Sequence, residues 1–432
     1  MMTLVRALIL ITAAWVLATP APAQVNITIT EGSEAALPIA VVPFQPAKGS
    51  SSPGEDLAGI IRADLARSGM FDSLPPENYV AMPGRGSEVQ FSNWRALGAD
   101  HLLVGEVNQD ESGKYRIRVE LFDVYGAESL ASKQYTAGPD ALRSAAHIIS
   151  NMIFQELVGR KGGFDSELVY VRTAGAGDDQ SFELMYADAD GAGAQAILTS
   201  PEPLMSPDWS PNGERVAYVS FEGGGSKIYV QEISTGDREV VADFDGINSA
   251  PAFSPDGTRL AMTRSSEGSP DIHVLDIETG ETRQITDHYG IDTEPVWTPD
   301  GEHILFTSNR SGGPQIFRIP SDGGEAERLT YEGDYNASPD LGPEGDLLTM
   351  VHHEDGDFRI AIKNLEKDLM RVLTDGRLDE SPSFSPNGAM IVYTRVAGDK
   401  TGLATVSVHG RANEALREFD GDVREPAWSP ID

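Results

Sequence analysis

A proline-centred turn recurs through the second half of the chain: WSPNG at 209–213, FSPDG from Phe253, WTPDG from Trp297, LGPEG from Leu341, FSPNG from Phe384 and a last WSPID from Trp428. Its prolines, Pro211, Pro255, Pro299, Pro343, Pro386 and Pro430, are spaced by 44, 44, 44, 43 and 44 residues. A period held that tightly specifies a repeat architecture before any other feature is weighed.

Each unit has one internal grammar. Proline presets φ for the second position of a type I turn, Asp or Asn suits the third, and glycine takes the left-handed position that follows. Such a turn joins two antiparallel strands. The strand after it is apolar and β-prone: VAYVS from Val216, LAMTR from Leu260, ILFTS from Ile304, LLTMV from Leu347 and IVYTR from Ile391. A polar loop and a third strand follow, as in IYVQEI from Ile228 and IHVLDI from Ile272, and a short fourth strand ends many units, as in RVLTD from Arg371. Four short strands per unit of this length is the signature of a propeller blade.

Residues 164–200 hold strands two to four of a blade with no first strand, whereas PAWSP at 426–430 is a first strand with nothing after it. Joined, they complete a sixth blade from both ends of the repeat region. That closes the ring and removes the open edges. The expected fold is an α/β N-terminal domain followed by an all-β six-bladed propeller of four-stranded blades.

The segment before the repeats reads differently. LPIAVVPF at 37–44 is a buried strand, residues 55–71 carry apolar side chains at helical spacing, and Trp94 opens a short helix. HLLVGEV at 101–107, YRIRVELFDV at 115–124 and a stretch near 129–137 are strands, and Pro139-Asp140 opens a helix with Leu142, Ala146, Ile149, Ile153 and Leu157 on one face. This predicts a small domain with a mixed sheet over 37–160, a hinge at Lys161-Gly162-Gly163, and the propeller over 161–432. Residues 1–23 have one early charge, Arg6, then a short apolar run closing on Ala21-Pro22-Ala23, which predicts a cleavable secretory signal and export. The run is short for a bilayer span. Residues 24–36 form a separate segment whose VNITIT stretch alternates like a strand that could add to a partner.

Charge and motifs narrow the function classes. Of the net charge of −34, residues 161–432 contribute −29 (21 Lys+Arg against 50 Asp+Glu). Such a surface repels phosphate backbones and argues against nucleic acid. With no cysteine, disulfides, thiol chemistry and Cys-ligated metals are excluded. No serine sits in a G-x-S-x-G elbow, and no H-E-x-x-H, phosphate loop or dinucleotide fingerprint appears. His352-His353 alternate faces of a strand and cannot share a metal. Asp188-x-Asp190-Gly191 and Asp355-Gly356-Asp357 lack the remaining ligands of a Ca²⁺ loop and read as tight turns. No catalytic residue, metal ligand or cofactor is expected, Ca²⁺ being the ion an acidic channel would admit. The polar segments entering each first strand, Asp245 to Ala250, Gly290 to Glu294, Asp334 to Ser338, Leu378 to Ser381 and Val423 to Glu425, should line one mouth of the channel.

Together, the leader, LPIAVVPF, the stretch ending ARSGMF, WRALGADHLLVGEV and the six turn-bearing units resemble the TolB family of the Tol–Pal envelope system of Gram-negative bacteria. The resemblance covers essentially all of the chain after the leader. It implies a non-enzymatic periplasmic scaffold supporting outer-membrane integrity and constriction at division. Family members bind the lipoprotein Pal in the propeller mouth, a site that bacteriocins exploit in some species, and contact TolA through the extreme N-terminus. NSAPAFSP from Asn248 and TEPVW from Thr293 match the family's blade-entry motif, which places Pal contact at Asn248, Ala250, Thr293 and Glu294. By the same resemblance and their place in the mouth, Asp245, Asn336, Asp379, Glu380 and Arg424 join them. TolA contact falls on Val25, Asn26, Ile27, Thr28, Ile29 and Thr30. The competing reading is a propeller-containing hydrolase or glycan-binding protein, which peptidase or glycan-binding activity of the purified chain would reveal.

Overall fold

The computed structural model describes residues 36–46, 53–175, 177–265, 268–398, 400–418 and 422–431. The proposed leader and residues 25–30 lie outside them. From Ala36 onward the chain forms one compact unit.

The N-terminal sheet is mixed, as its pattern predicts. Strands β1 (Leu37–Val41), β2 (Gln45–Pro46), β3 (Phe71–Ser73), β4 (His101–Gln109), β5 (Tyr115–Asp123) and β6 (Glu128–Ala137) run in the order β3-β1-β4-β5-β6, with β2 beside β4. β1 is parallel to both neighbours, while β4-β5-β6 is an antiparallel meander. Helices α1 (Leu57–Arg67) and α3 (Leu142–Val158) cover one face, and α2 (Phe91–Ala96) packs Trp94 against the other. The Asp56 side chain caps α1 by accepting from Gly59 N. The sequence pattern carries this helix to residue 71, but it stops at Arg67. Gly69 turns the chain at φ +67°, and Phe71 already pairs with Leu37. α3 begins one turn after Pro139 and ends at Gly159 in the left-handed conformation.

Six four-stranded sheets follow, each an antiparallel meander. Blade one opens with the strand Leu204–Trp209, blade two with Ile247–Phe253, blade three with Asp292–Trp297, blade four with Tyr335–Leu341 and blade five with Asp379–Phe384. Blade six is assembled from both ends of the repeat region: Asp422–Trp428 pairs with Glu167–Ala174, and Ser181–Asp188 and Gln195–Ser200 complete it. The join is bonded beyond the ladder. Trp428 Nε1 donates to Ser166 Oγ at 2.7 Å, and Glu167 N donates to Ser429 Oγ at 2.9 Å.

The repeated turn has a packing reason as well as a conformational one. In FSPDG, Asp256 Oδ1 accepts from Ser254 Oγ (2.6 Å) and Thr258 N (3.0 Å), and Gly257 sits at φ +71°. The Ser254 hydrogen bond leads in holding the Asp256 carboxyl down at about 2. A β-carbon on Gly257 would lie 3.2 Å from Pro211 of the preceding blade's turn; Gly345 stands likewise over Pro299, and Gly388 over Pro343. The glycine of one turn thus makes room for the proline of the last. Tryptophans tie blades in the same sense, Trp297 Nε1 donating to Ala252 O at 3.0 Å and Trp209 Nε1 to Ala427 O at 3.1 Å.

The α/β domain docks on the face that carries these turns. Gly163 packs on Pro386 and Asn387 of blade five, Gly69 against Ser407, and Arg143 pairs with Asp188 and Asp190 of blade six. One apolar cluster runs through the seam, from Ile61, Leu65, Ile153 and Phe154 through Phe164 to Tyr170, Met390 and Trp428. In the segment expected as a hinge Lys161 is exposed while Gly162 and Gly163 are buried, and the Phe164 N–H that follows donates to Asn151 Oδ1 at 2.9 Å. Because blade strands alternate in direction, the opposite mouth, where first strands begin, faces away from this domain.

Candidate functional site: the open channel mouth

Each first strand contains one residue with positive φ just before a proline: Ser206, Ala250, Glu294, Ser338, Ser381 and Glu425, with φ between 47° and 55°. The left-handed region is costly for side chains with a β-carbon. Here all six blades adopt it, and in every blade the ladder register shifts at that point. These six bulges ring the channel and, with the residues two positions on, line a cavity of about 210 Å³.

The bulge splits the entry segment into buried and accessible positions. Two residues before each positive-φ residue stand Leu204, Asn248, Asp292, Asn336, Asp379 and Val423, all buried. Asn248 Nδ2 donates to Ser226 O (3.0 Å) and Phe244 O (2.7 Å), pinning the loop that enters blade two. Asn336 does the same for blade four, donating to Glu332 O (2.8 Å) and Gln315 Oε1 (2.9 Å), and its oxygen meets His352 Nδ1 at 2.8 Å. Asp292 accepts from Arg310 Nη2 at 2.6 Å. Asp379 is enclosed by the turn at Gly376, and burial pushes its carboxyl up. Asn248, Asn336 and Asp379, grouped by sequence with the contact residues, are therefore turned inward. They shape the mouth without presenting a surface, because alternation along the strand seats them beneath the entry loops.

The other expected residues reach the mouth or the channel. Asp245 and Arg424 are exposed; Ala250, Thr293, Glu294 and Glu380 are half-buried. Glu294 bridges two blades, its carboxylate accepting from Thr307 Oγ1 (2.7 Å), Ser338 N (2.9 Å) and Ser338 Oγ (2.8 Å). Glu425 makes the equivalent bond to Ser206 N, and burial raises its carboxyl. Deeper in, Asp208 and Asp340 each accept the backbone N–H of the next blade's aromatic residue, Phe253 at 2.7 Å and Phe384 at 2.6 Å. Burial lifts both carboxyls to about 7.

Sequence reasoning placed Ile247 and Ile291 in the entry segments but read those segments as polar, and it missed Met205, Tyr289 and Tyr331. Met205, Ile247, Ile291, Tyr331 and Tyr289 are 42, 46, 48, 66 and 85% exposed, and all lie on connectors into first strands or at those strands' starts. Scattered exposed apolar residues need no explanation; these five share the face on which the first strands begin, where a partner could cover them. The available signal was an apolar residue in otherwise polar entry segments, as in YGID at 289–292.

Among the described residues, no helix is long and apolar enough to cross a membrane. Residues 154–432 match the TolB beta propeller domain, and residues 25–130 match the TolB amino-terminal domain. The chain is 57% identical to the Tol-Pal system protein TolB of Nitrosococcus oceani, over 96% of each chain. It is 48% identical to that of Xylella fastidiosa, over 94% of this chain and 93% of the relative. The crystal structure of TolB from Acinetobacter baumannii superposes with a TM-score of 0.83 at 37% identity, covering 92% of this chain and 97% of that one. These relatives are named as components of the Tol-Pal system, which supports a non-enzymatic scaffold over a hydrolase. Two domain matches that together span nearly the whole described chain, and this identity over nearly full length, establish that the chain belongs to the TolB family.

Proposed function

We propose that this chain acts in the periplasm as the scaffold of its Tol–Pal system, holding Pal in the open channel mouth and contacting TolA through residues 25–30. In that role it supports outer-membrane integrity and constriction at division. The observation that carries the reading is the open mouth itself: a cavity wall that includes Glu294, Glu425, Asp208 and Asp340, on the face where Met205, Ile247, Tyr289, Ile291 and Tyr331 are exposed in or beside the first-strand entries. Apolar side chains that lose water supply affinity, and the carboxylates select a partner with basic or amide-rich groups at its centre. By donor type, the Asp208 and Asp340 oxygens also suit Ca²⁺, which would compete with a basic group entering the channel.

The test is calorimetric titration of the mature protein with the soluble domain of its own Pal, with and without Ca²⁺. Ile291→Arg and Thr293→Arg are the variants, and circular dichroism checks the fold. Saturable binding lost in both variants supports the mouth as the site. Binding untouched by either moves it elsewhere, and absence of binding by the wild type removes the Pal reading. Coupling between the Pal and TolA sites would be reciprocal, so equal TolA affinity with and without Pal would show that the two act independently.

A further inference from the structure

The seam between the α/β domain and the propeller holds a polar knot in an otherwise apolar contact. Asp64 on α1 is wholly buried and both its oxygens are engaged. Oδ1 accepts from Arg67 Nη2 at 2.5 Å; Oδ2 accepts from Ser150 Oγ at 2.7 Å and from His147 Nδ1, also at 2.7 Å. That last bond fixes the imidazole of His147, which is 2% exposed on α3. It aims Nε2 out of the domain and toward the loop after Asp188 in blade six. Asp190 Oδ2 stands 3.8 Å from Nε2, which has no hydrogen-bond partner among the described residues. Arg143, one turn earlier on α3, spans the same gap, pairing with Asp190 and lying 3.4 Å from Asp188.

The groups facing His147 are therefore Asp64 and Arg67 from α1, Arg143 and Ser150 from α3, and Asp188 and Asp190 from the propeller. Three carboxylates meet two guanidiniums, so a protonated imidazole balances the knot. We propose that His147 is a proton-operated latch between the two domains: protonated, it ties the Asp188–Asp190 loop to α3; neutral, it leaves the seam to Arg143.

The direction of its titration agrees. Burial acts to lower the His147 pKa, but the hydrogen bond and charge of Asp64, with Asp190 adding to them, outweigh it, and the net shift is upward. A group raised on folding contributes stability that is complete below its unfolded value near 6.5 and is lost as pH rises through the folded one. Docking is then tightest below the unfolded value and loosens as pH rises through the folded one. Burial raises the Asp188 carboxyl; at Asp190 burial is outweighed by Arg67, the Ala192 N–H, His147 and Arg143, and the net shift is downward. One atom each of Asp64, His147 and Asp190 could be offered to a cation, since these atoms lie within 4.8 Å of one another. However, guanidiniums already hold both carboxylates, so a proton suits the site better than a second cation.

The test is amide hydrogen exchange of residues 188–194 in the full mature chain between pH 6 and 8.5, corrected for intrinsic rates. Wild type should open at least about tenfold more at pH 8.5, as for loss of a charge about 4 Å from the Asp190 carboxylate. In His147→Gln the ratio should fall below about twofold. Should that variant not fold, Asp190→Asn takes its place and should flatten the profile while lowering the His147 pKa read by NMR. A pH-independent wild type, or either variant keeping the wild-type ratio, overturns the proposal. So does equimolar Zn²⁺ restoring protection at pH 8.5 in a His147-dependent way, which would make the knot a cation site.

Discussion

Asp208 and Asp340 occupy the same position in first strands three blades apart, so in a six-blade ring they stand opposite each other across the channel. Each binds the next blade's backbone through one oxygen and is lifted to about 7 by burial, and Asp340's charge adds to the rise at Asp208. The folded protein then holds protons that the unfolded chain has released, so stability falls as pH rises from about 4 through 7. Asp208→Asn and Asp340→Asn together should flatten that slope, and either alone should stabilise the protein at pH 8 by about 1 kcal/mol, since channel water tempers the burial. Urea melts at pH 5, 6.5 and 8 read this directly, and an unchanged slope in the double variant would refute it.

Glu294 joins blades three and four by accepting two hydrogen bonds from Ser338, and it accepts a third from Thr307 of its own blade. Removing the carboxylate leaves the Ser338 N–H and two hydroxyls without it. Glu294→Ala should cost about 1–3 kcal/mol, and Glu294→Gln, which keeps one acceptor oxygen, should cost less. No measurable cost from either substitution in thermal melts would mean the bridge bears no load.

Trp428 closes the ring, burying its indole in the interdomain cluster and donating to Ser166. Trp428→Ala should destabilise by about 3–5 kcal/mol, the range for a large buried aromatic. Proteolysis should then begin in blade six rather than at an arbitrary loop. Cleavage starting elsewhere would contradict a ring closed at this strand.

Ala250 sits at φ 47° immediately before Pro251. A β-branched side chain there meets both constraints at once, so Ala250→Val should cost about 1–3 kcal/mol. Ala250→Gly should be near neutral, because relief of strain offsets the added freedom of the unfolded chain. Equal denaturation midpoints for the two variants would show that this bulge carries no strain.

What was legible in the sequence follows from what is local. Pro-x-Gly turns, apolar second strands and a blade divided between two distant segments are all properties of short stretches and their spacing, and they yield the ring. The mouth was less legible because period-two counting assumes an unbroken strand. The bulge at Ser206, Ala250 and their equivalents breaks that alternation for the residues that follow it; ahead of it alternation holds, so Asn248 turns inward while Thr293, one place further along its own strand, does not. The proline after each bulge was the visible trace. The His147–Asp64 contact joins residues 83 apart, and neither helix's own pattern distinguishes them from ordinary polar positions.

The closing strand also sets an order of events. Residues 422–428 leave the ribosome more than two hundred residues after residues 168–173, the strand they pair with. Until they arrive, the Glu167–Ala174 strand waits with one edge unpaired, and the indole site beside Ser166 and Met390 waits for its occupant. The chain therefore times its own assembly: five blades can form in sequence, but the circle becomes a circle only once residues 422–428 have emerged.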